Sequence, residues 1–66
     1  MKIEELIHFL EKKNITDKEM LNFYLDNYDF FYSEPDIKNI MISTINSEMT
    51  TETAVNILKS FFKKKI

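Results

Sequence analysis

Apolar and polar positions alternate at helical spacing in four successive stretches, separated by short polar breaks. Ile3, Leu6, Ile7 and Leu10 repeat as one helix face, which predicts a first helix from about residue 3 to residue 13. Asn14 is placed to adopt the left-handed conformation that ends a helix in a chain without glycine, with Ile15 folding back on Leu10. Thr16-Asp17-Lys18-Glu19 reads as a capping box, and Ile15 with Met20 as the hydrophobic staple around it. A second helix is expected from Asp17 to between Tyr28 and Tyr32. On it Met20, Leu21, Tyr24, Leu25, Tyr28, Phe31 and Tyr32 share one broad stripe, while Phe23 and Phe30 fall together outside it. A surface helix needs only one apolar stripe, so helix two is expected to be central and the most buried element.

Ser33-Glu34-Pro35-Asp36 ends that helix and starts the next, with Ser33 as the expected N-cap and Pro35 in the first turn. Helix three carries Ile37, Ile40, Met41, Thr44 and Ile45 on one face, with Ile42 outside it. Asn46-Ser47-Glu48 is a break, and Met49-Thr50 repeats the staple and cap. Helix four presents Ala54, Val55, Ile57, Leu58, Phe61 and Phe62 and closes with Lys63, Lys64 and Lys65, which suit the negative end of the helix dipole.

A shift of 34 residues lays Ile3 on Ile37, Leu6 on Ile40, Ile7 on Met41, Thr16 on Thr50, Asn22 on Asn56 and Tyr28 on Phe62. Thirty-four is also the tetratricopeptide period, but the small residues of that family's helix contacts are missing and two units make no solenoid. The shift therefore indicates shared architecture. The expected fold is a single all-α domain over residues 1–66, with four short helices forming two antiparallel αα-hairpins around one small core.

Composition narrows the means of stabilisation. A chain of 66 residues buries only about 60% of its unfolded surface. It has no cysteine for a disulfide and a single histidine, so no structural zinc site is expected. With 44% hydrophobic residues, 14% aromatics and a net charge of -2, it is too apolar for a disordered segment. The N-terminal MKIEELIHFLEKK carries glutamates through its apolar part and does not read as a signal peptide. No apolar run approaches the ~20 residues of a membrane span. A cytoplasmic location is the expectation. The abundance of Ile, Lys, Asn, Phe and Tyr, without arginine, glycine or tryptophan, points to an AT-rich genome such as that of a bacterium, phage or virus.

Candidate chemistry is sparse. Glu4, His8 and Glu11 share a face of helix one, but one imidazole between two solvated carboxylates is a poor ligand set, and no metal or cofactor is expected. No cysteine nucleophile and no glycine-rich phosphate loop is present, and the serines and threonines sit mainly at helix starts, where capping accounts for them. No catalytic residues are assigned, and the chain is expected not to be an enzyme. Helices three and four resemble a helix-turn-helix: Met49-Thr50, followed by Thr53-Ala54 and Leu58, is similar to the turn and start of a recognition helix. The turn is longer than usual and lacks its glycine, and Thr51, Glu52, Asn56 and Lys59 form a face poor in cations. Nucleic-acid binding is therefore the alternative reading rather than the first.

The first reading rests on the second helix. Asp26, Asp29, Glu34 and Asp36 interleave with Phe30, Phe31 and Tyr32, while lysines gather at the C-terminus. Aromatic anchors in an acidic surround suit a basic protein partner with apolar pockets. Four apolar residues lie off their stripes: Phe9, Phe23, Phe30 and Ile42. Only a central helix or a second chain can absorb them. Phe23, Asp26, Asp29, Phe30, Phe31 and Tyr32 are the expected partner-binding residues. The expected function is that of a small regulator or inhibitor, encoded by a phage or other mobile element, that occludes a larger protein. A self-assembling helical module with a homodimer seam is a further alternative.

Overall fold

The computed structural model describes the backbone of residues 1–64 and the side chains of residues 1–61. Phe62, Lys63, Lys64 and Lys65, assigned above to the end of the last helix, thus have side chains outside those described. The described residues form five α-helices and no strands: α1 (Ile3–Leu10), α2 (Asp17–Asp26), α3 (Tyr28–Ser33), α4 (Pro35–Ile45) and α5 (Thr51–Lys64). The fold is all-α. The fifth helix arises because the expected second helix breaks at Asn27, where φ -119° and ψ 31° leave the helical region. The Asn27 side chain secures the break by donating from Nδ2 to the Phe23 carbonyl at 2.9 Å.

Local chemistry explains the boundaries. At the start of α2 the Thr16 hydroxyl accepts the Glu19 backbone N–H at 3.1 Å. The Glu19 carboxylate in turn accepts the Thr16 backbone N–H at 3.1 Å, so the capping box is complete. Its flanking residues seal the junction, with Met20 buried and Ile15 half-buried against the core. Helix α1 ends at Leu10, earlier than expected, and Asn14 is left-handed (φ 62°) within the turn that follows. Pro35 opens α4, but the cap position is Glu34 rather than Ser33 and carries no side-chain cap. Ser33 instead closes α3, its hydroxyl donating to the Phe30 carbonyl at 2.9 Å.

The far end of α4 is a complete Schellman turn. Ser47 is left-handed at φ 62°, Glu48 N–H donates to the Ser43 carbonyl at 2.9 Å, and Ser47 N–H donates to the Thr44 carbonyl at 3.2 Å. Thr50 then caps α5 through its hydroxyl, which accepts the Thr53 backbone N–H at 3.1 Å.

The central element is α4, against which α2, α3 and α5 all pack. It buries Ile37, Ile40, Met41 and Thr44 at the i, i+3, i+4, i+7 spacing of one face. Thr44 can be buried because its hydroxyl donates to the Ile40 carbonyl at 2.8 Å. Helix α1 buries Ile3, Leu6, Ile7 and Leu10 and lies chiefly on α5, its distant neighbour in sequence, rather than on α2. Among the described residues the largest fully buried side chains are Phe31, Leu6, Met41 and Leu58, one each from α3, α1, α4 and α5. Among its buried residues α2 counts only Met20. The expectation that the second helix is the most buried element is therefore corrected: α1 and α4 bury four residues each, and α4 is the helix against which most others pack.

Three of the four off-stripe apolar residues, Phe9, Phe23 and Phe30, pack against the core. Phe9 of α1 and Phe23 of α2 stack on each other, ring centroids 4.1 Å apart and planes 14° from parallel. Lys12 covers the outer side of the pair, its Nζ 5.6 Å from the Phe9 centroid. Phe30 is half-buried and meets the edge of Phe31 at 5.3 Å, and Ile42 is half-buried on α4.

Candidate functional site

The apolar arc of α2 and α3 covers more than half of the helix circumference at about 100° per residue. The fold turns one side of that arc inward. Met20 and Phe31 are buried, and Phe23, Tyr24 and Phe30 are half-buried, all packed on the core. The other side stays outside: Leu21, Leu25, Tyr28 and Tyr32 are 44, 56, 46 and 69% exposed, the exposed large apolar side chains among the described residues. Leu21 and Leu25 lie at i, i+4 on α2 and Tyr28 and Tyr32 at i, i+4 on α3, and Leu25 and Tyr28 line one hollow across the Asn27 break, which joins the two pairs into a continuous exposed row.

The row is braced from beneath. Tyr24 packs on the buried Phe31 ring at 5.1 Å, Tyr28 stands edge-on to Tyr24 at 5.9 Å, and Tyr32 lies against Tyr28 at 6.1 Å. The exposed tyrosines are thereby tied through a ladder of rings to the centre of the core. Side chains held in this way lose little rotamer freedom on contact, which lowers the entropic cost of docking.

Beside the row, at the break between α2 and α3, Met1, Leu25, Asp26, Asn27, Tyr28, Asp29 and Phe30 line a hollow of about 330 Å³. Its volume is at the lower limit of about 300 Å³ for small-molecule sites. Its lining is more polar than apolar, with the Asp26 and Asp29 carboxylates beside Leu25, Tyr28 and Phe30, which suits the charged head of a basic side chain. Neither Asp26 nor Asp29 forms an ion pair among the described residues, where the one ion pair joins Lys59 to Glu11 at 3.2 Å.

The six residues singled out from sequence separate. Asp26, Asp29 and Phe30 come together in the hollow, and Tyr32 is the most exposed member of the row. Phe23 faces the Phe9 stack. Phe31, at 0% exposure, is a core residue that no partner can reach in the folded chain, so its assignment as a contact is corrected. Leu21, Leu25 and Tyr28 share the sequence stripe with Met20, yet the fold leaves them exposed.

A second depression of about 610 Å³ lies between the end of α1 and α5, lined by residues including Leu10, Lys12, Lys13, Glu52, Val55 and Lys59. Its cations and carboxylates are mixed, and Lys59 is already paired with Glu11. Among the described residues no group of three or more His, Asp or Glu side chains is placed to hold a metal ion, and no helix is long and apolar enough to cross a membrane. Comparison with protein-family models, with curated proteins and with solved structures returned no match.

Proposed function

We propose that the protein is a small protein-binding regulator that acts by occluding a larger partner, using the outer face of α2 and α3. One observation carries the reading: Leu21, Leu25, Tyr28 and Tyr32 stand exposed in a single row on a rigid aromatic support. Scattered exposed apolar residues are ordinary on a protein surface, but an aligned row is what an interface requires. A cytoplasmic site of action and a phage or mobile-element gene fit the composition. The helix-turn-helix alternative has less support, since Lys59 on α5 is engaged by Glu11 and Glu52 shares the exposed face.

The test is differential capture. The native chain and the Leu21→Asp/Leu25→Asp variant, matched in helicity by circular dichroism, are each used to purify complexes from the host. A stoichiometric partner held by the native chain and lost by the variant supports the reading. Partners retained equally by both would place the contact elsewhere.

A further inference from the structure

We infer that the occupant of this face is a cationic amphipathic helix of another protein, with apolar residues on its inner side and lysines or arginines along its flank. The inference rests on the docking role proposed for the face and adds the chemistry of the partner.

Area is the first argument. A stable interface takes roughly 800 Å² from each partner, about a sixth of this molecule's 4711 Å². Four partly exposed side chains in one row cannot supply that alone, so any stable occupant also covers what flanks them. On one side the flank is acidic: Asp26 and Asp29 share the hollow with Leu25 and Tyr28. Covering those carboxylates without bringing opposite charge would strip their hydration uncompensated.

Charge then selects the occupant. Residues 19–37 contain five carboxylates (Glu19, Asp26, Asp29, Glu34 and Asp36) and no lysine, arginine or histidine. A second copy docking through the same face would form an isologous contact, in which each patch meets itself. Antiparallel pairing centred between Leu25 and Tyr28 would bring Asp26 and Asp29 of both copies to the middle of the seam, four carboxylates against the two Met1 termini that line the hollows. A foreign helix carrying Lys or Arg beside its apolar row meets both requirements. Its apolar residues at helical spacing seat along Leu21, Leu25, Tyr28 and Tyr32, and one basic side chain enters the hollow with its stem on Leu25, Tyr28 and Phe30.

The experiment uses two synthetic 18-residue helical peptides with the same leucine row and flanks of either lysine or glutamate. Binding to the full chain is measured by calorimetry, and sedimentation of the chain alone gives its mass. The lysine peptide is expected to bind at least tenfold more tightly than the glutamate peptide. Asp26→Asn/Asp29→Asn should reduce that preference several-fold, whereas Glu4→Gln/Glu5→Gln, exposed on α1, should leave it unchanged. Leu25→Asp should abolish binding, with helicity retained. Equal binding of both peptides that Leu25→Asp removes would overturn the cationic partner and leave the docking face standing. A preference that the α1 variant lowers as much as the Asp26/Asp29 variant would overturn it as well, by reducing the effect to net charge. No binding by either peptide, from a chain that sediments as a monomer, would overturn the docking role itself. A dimer that Leu25→Asp dissociates would assign the face to a second copy.

Discussion

The neighbours Phe31 and Tyr32 provide the sharpest test of how α3 is seated. Phe31 is 0% exposed and Tyr32 69% exposed, although both are large aromatic residues one position apart. Truncating a buried phenylalanine to alanine costs about 3–5 kcal/mol, from lost transfer free energy and the cavity left behind. At about 0.05–0.15 kcal/mol per residue, a chain of 66 residues has roughly 3–10 kcal/mol of stability in total. Phe31→Ala is therefore expected to remove a large part of that stability. The loss is deepened because Phe31 supports Tyr24 at 5.1 Å and Phe30 at 5.3 Å. Tyr32→Ala removes a mostly solvated ring whose aromatic contact is Tyr28, and such surface changes stay within about 0.5 kcal/mol. Phe31→Leu, costing roughly 1–2 kcal/mol, keeps the comparison measurable. Urea denaturation followed by circular dichroism at 222 nm is the assay. With a slope of about 1 kcal/mol per molar for so small a domain, Phe31→Leu should lower the midpoint by roughly 1–2 M and Tyr32→Ala by less than about 0.5 M. The opposite order would mean that Tyr32 is the inward ring, and the row Leu21–Leu25–Tyr28–Tyr32 would lose its basis.

Three further outcomes follow from the helix ends and the satellite stack. Thr16→Ala should lose about 1 kcal/mol by removing the cap on Glu19 N–H; an unchanged urea midpoint would count the capping box out as a source of stability. Ser47→Gly should gain about 0.5–1 kcal/mol, since a left-handed L-residue carries a cost of about 1–2 kcal/mol that glycine avoids and glycine's extra unfolded-state entropy returns only part. A loss of stability in thermal melts would show that the Schellman turn needs the serine side chain. A double-mutant cycle on Phe9→Ala and Phe23→Ala should give a coupling of about 0.5–1.5 kcal/mol for rings 4.1 Å apart, while strict additivity would mean that the stack contributes nothing of its own.

Much of the architecture could be read from local pattern. The apolar faces of α1 and α4, the Thr16–Glu19 box, Pro35 at the start of α4 and the break at Asn46-Ser47-Glu48 each depend on residues within a turn or two of one another. Three features depend on more distant relations. The α2–α3 arc is so widely apolar that periodicity has no single direction there. A stripe centred on Tyr24 and Leu25 satisfies the pattern as well as the inner face of Met20, Phe23, Phe30 and Phe31 that the fold uses. Phe9 and Phe23 look unplaced while each helix is considered alone and are satisfied once α1 and α2 meet. The break at Asn27 carries no proline or glycine, and depends on a side-chain bond to the Phe23 carbonyl that any of the chain's asparagines could offer in principle. The candidate face was correspondingly half legible. Its acids and Tyr32 can be read from the sequence, whereas nothing local separates the outward Leu21 and Leu25 from the inward Phe31 on the same stripe.

The tyrosine ladder also gives the protein a built-in optical reporter. The chain has no tryptophan and three tyrosines, and all three stand in that ladder. Its ultraviolet emission and near-ultraviolet dichroism therefore originate largely from one patch of surface. A molecule that settles on Tyr28 and Tyr32 will alter those signals directly, whereas one that binds along α1 and α5 will leave them almost untouched. Native protein, without dye or label, can thus report both that something has bound and on which side.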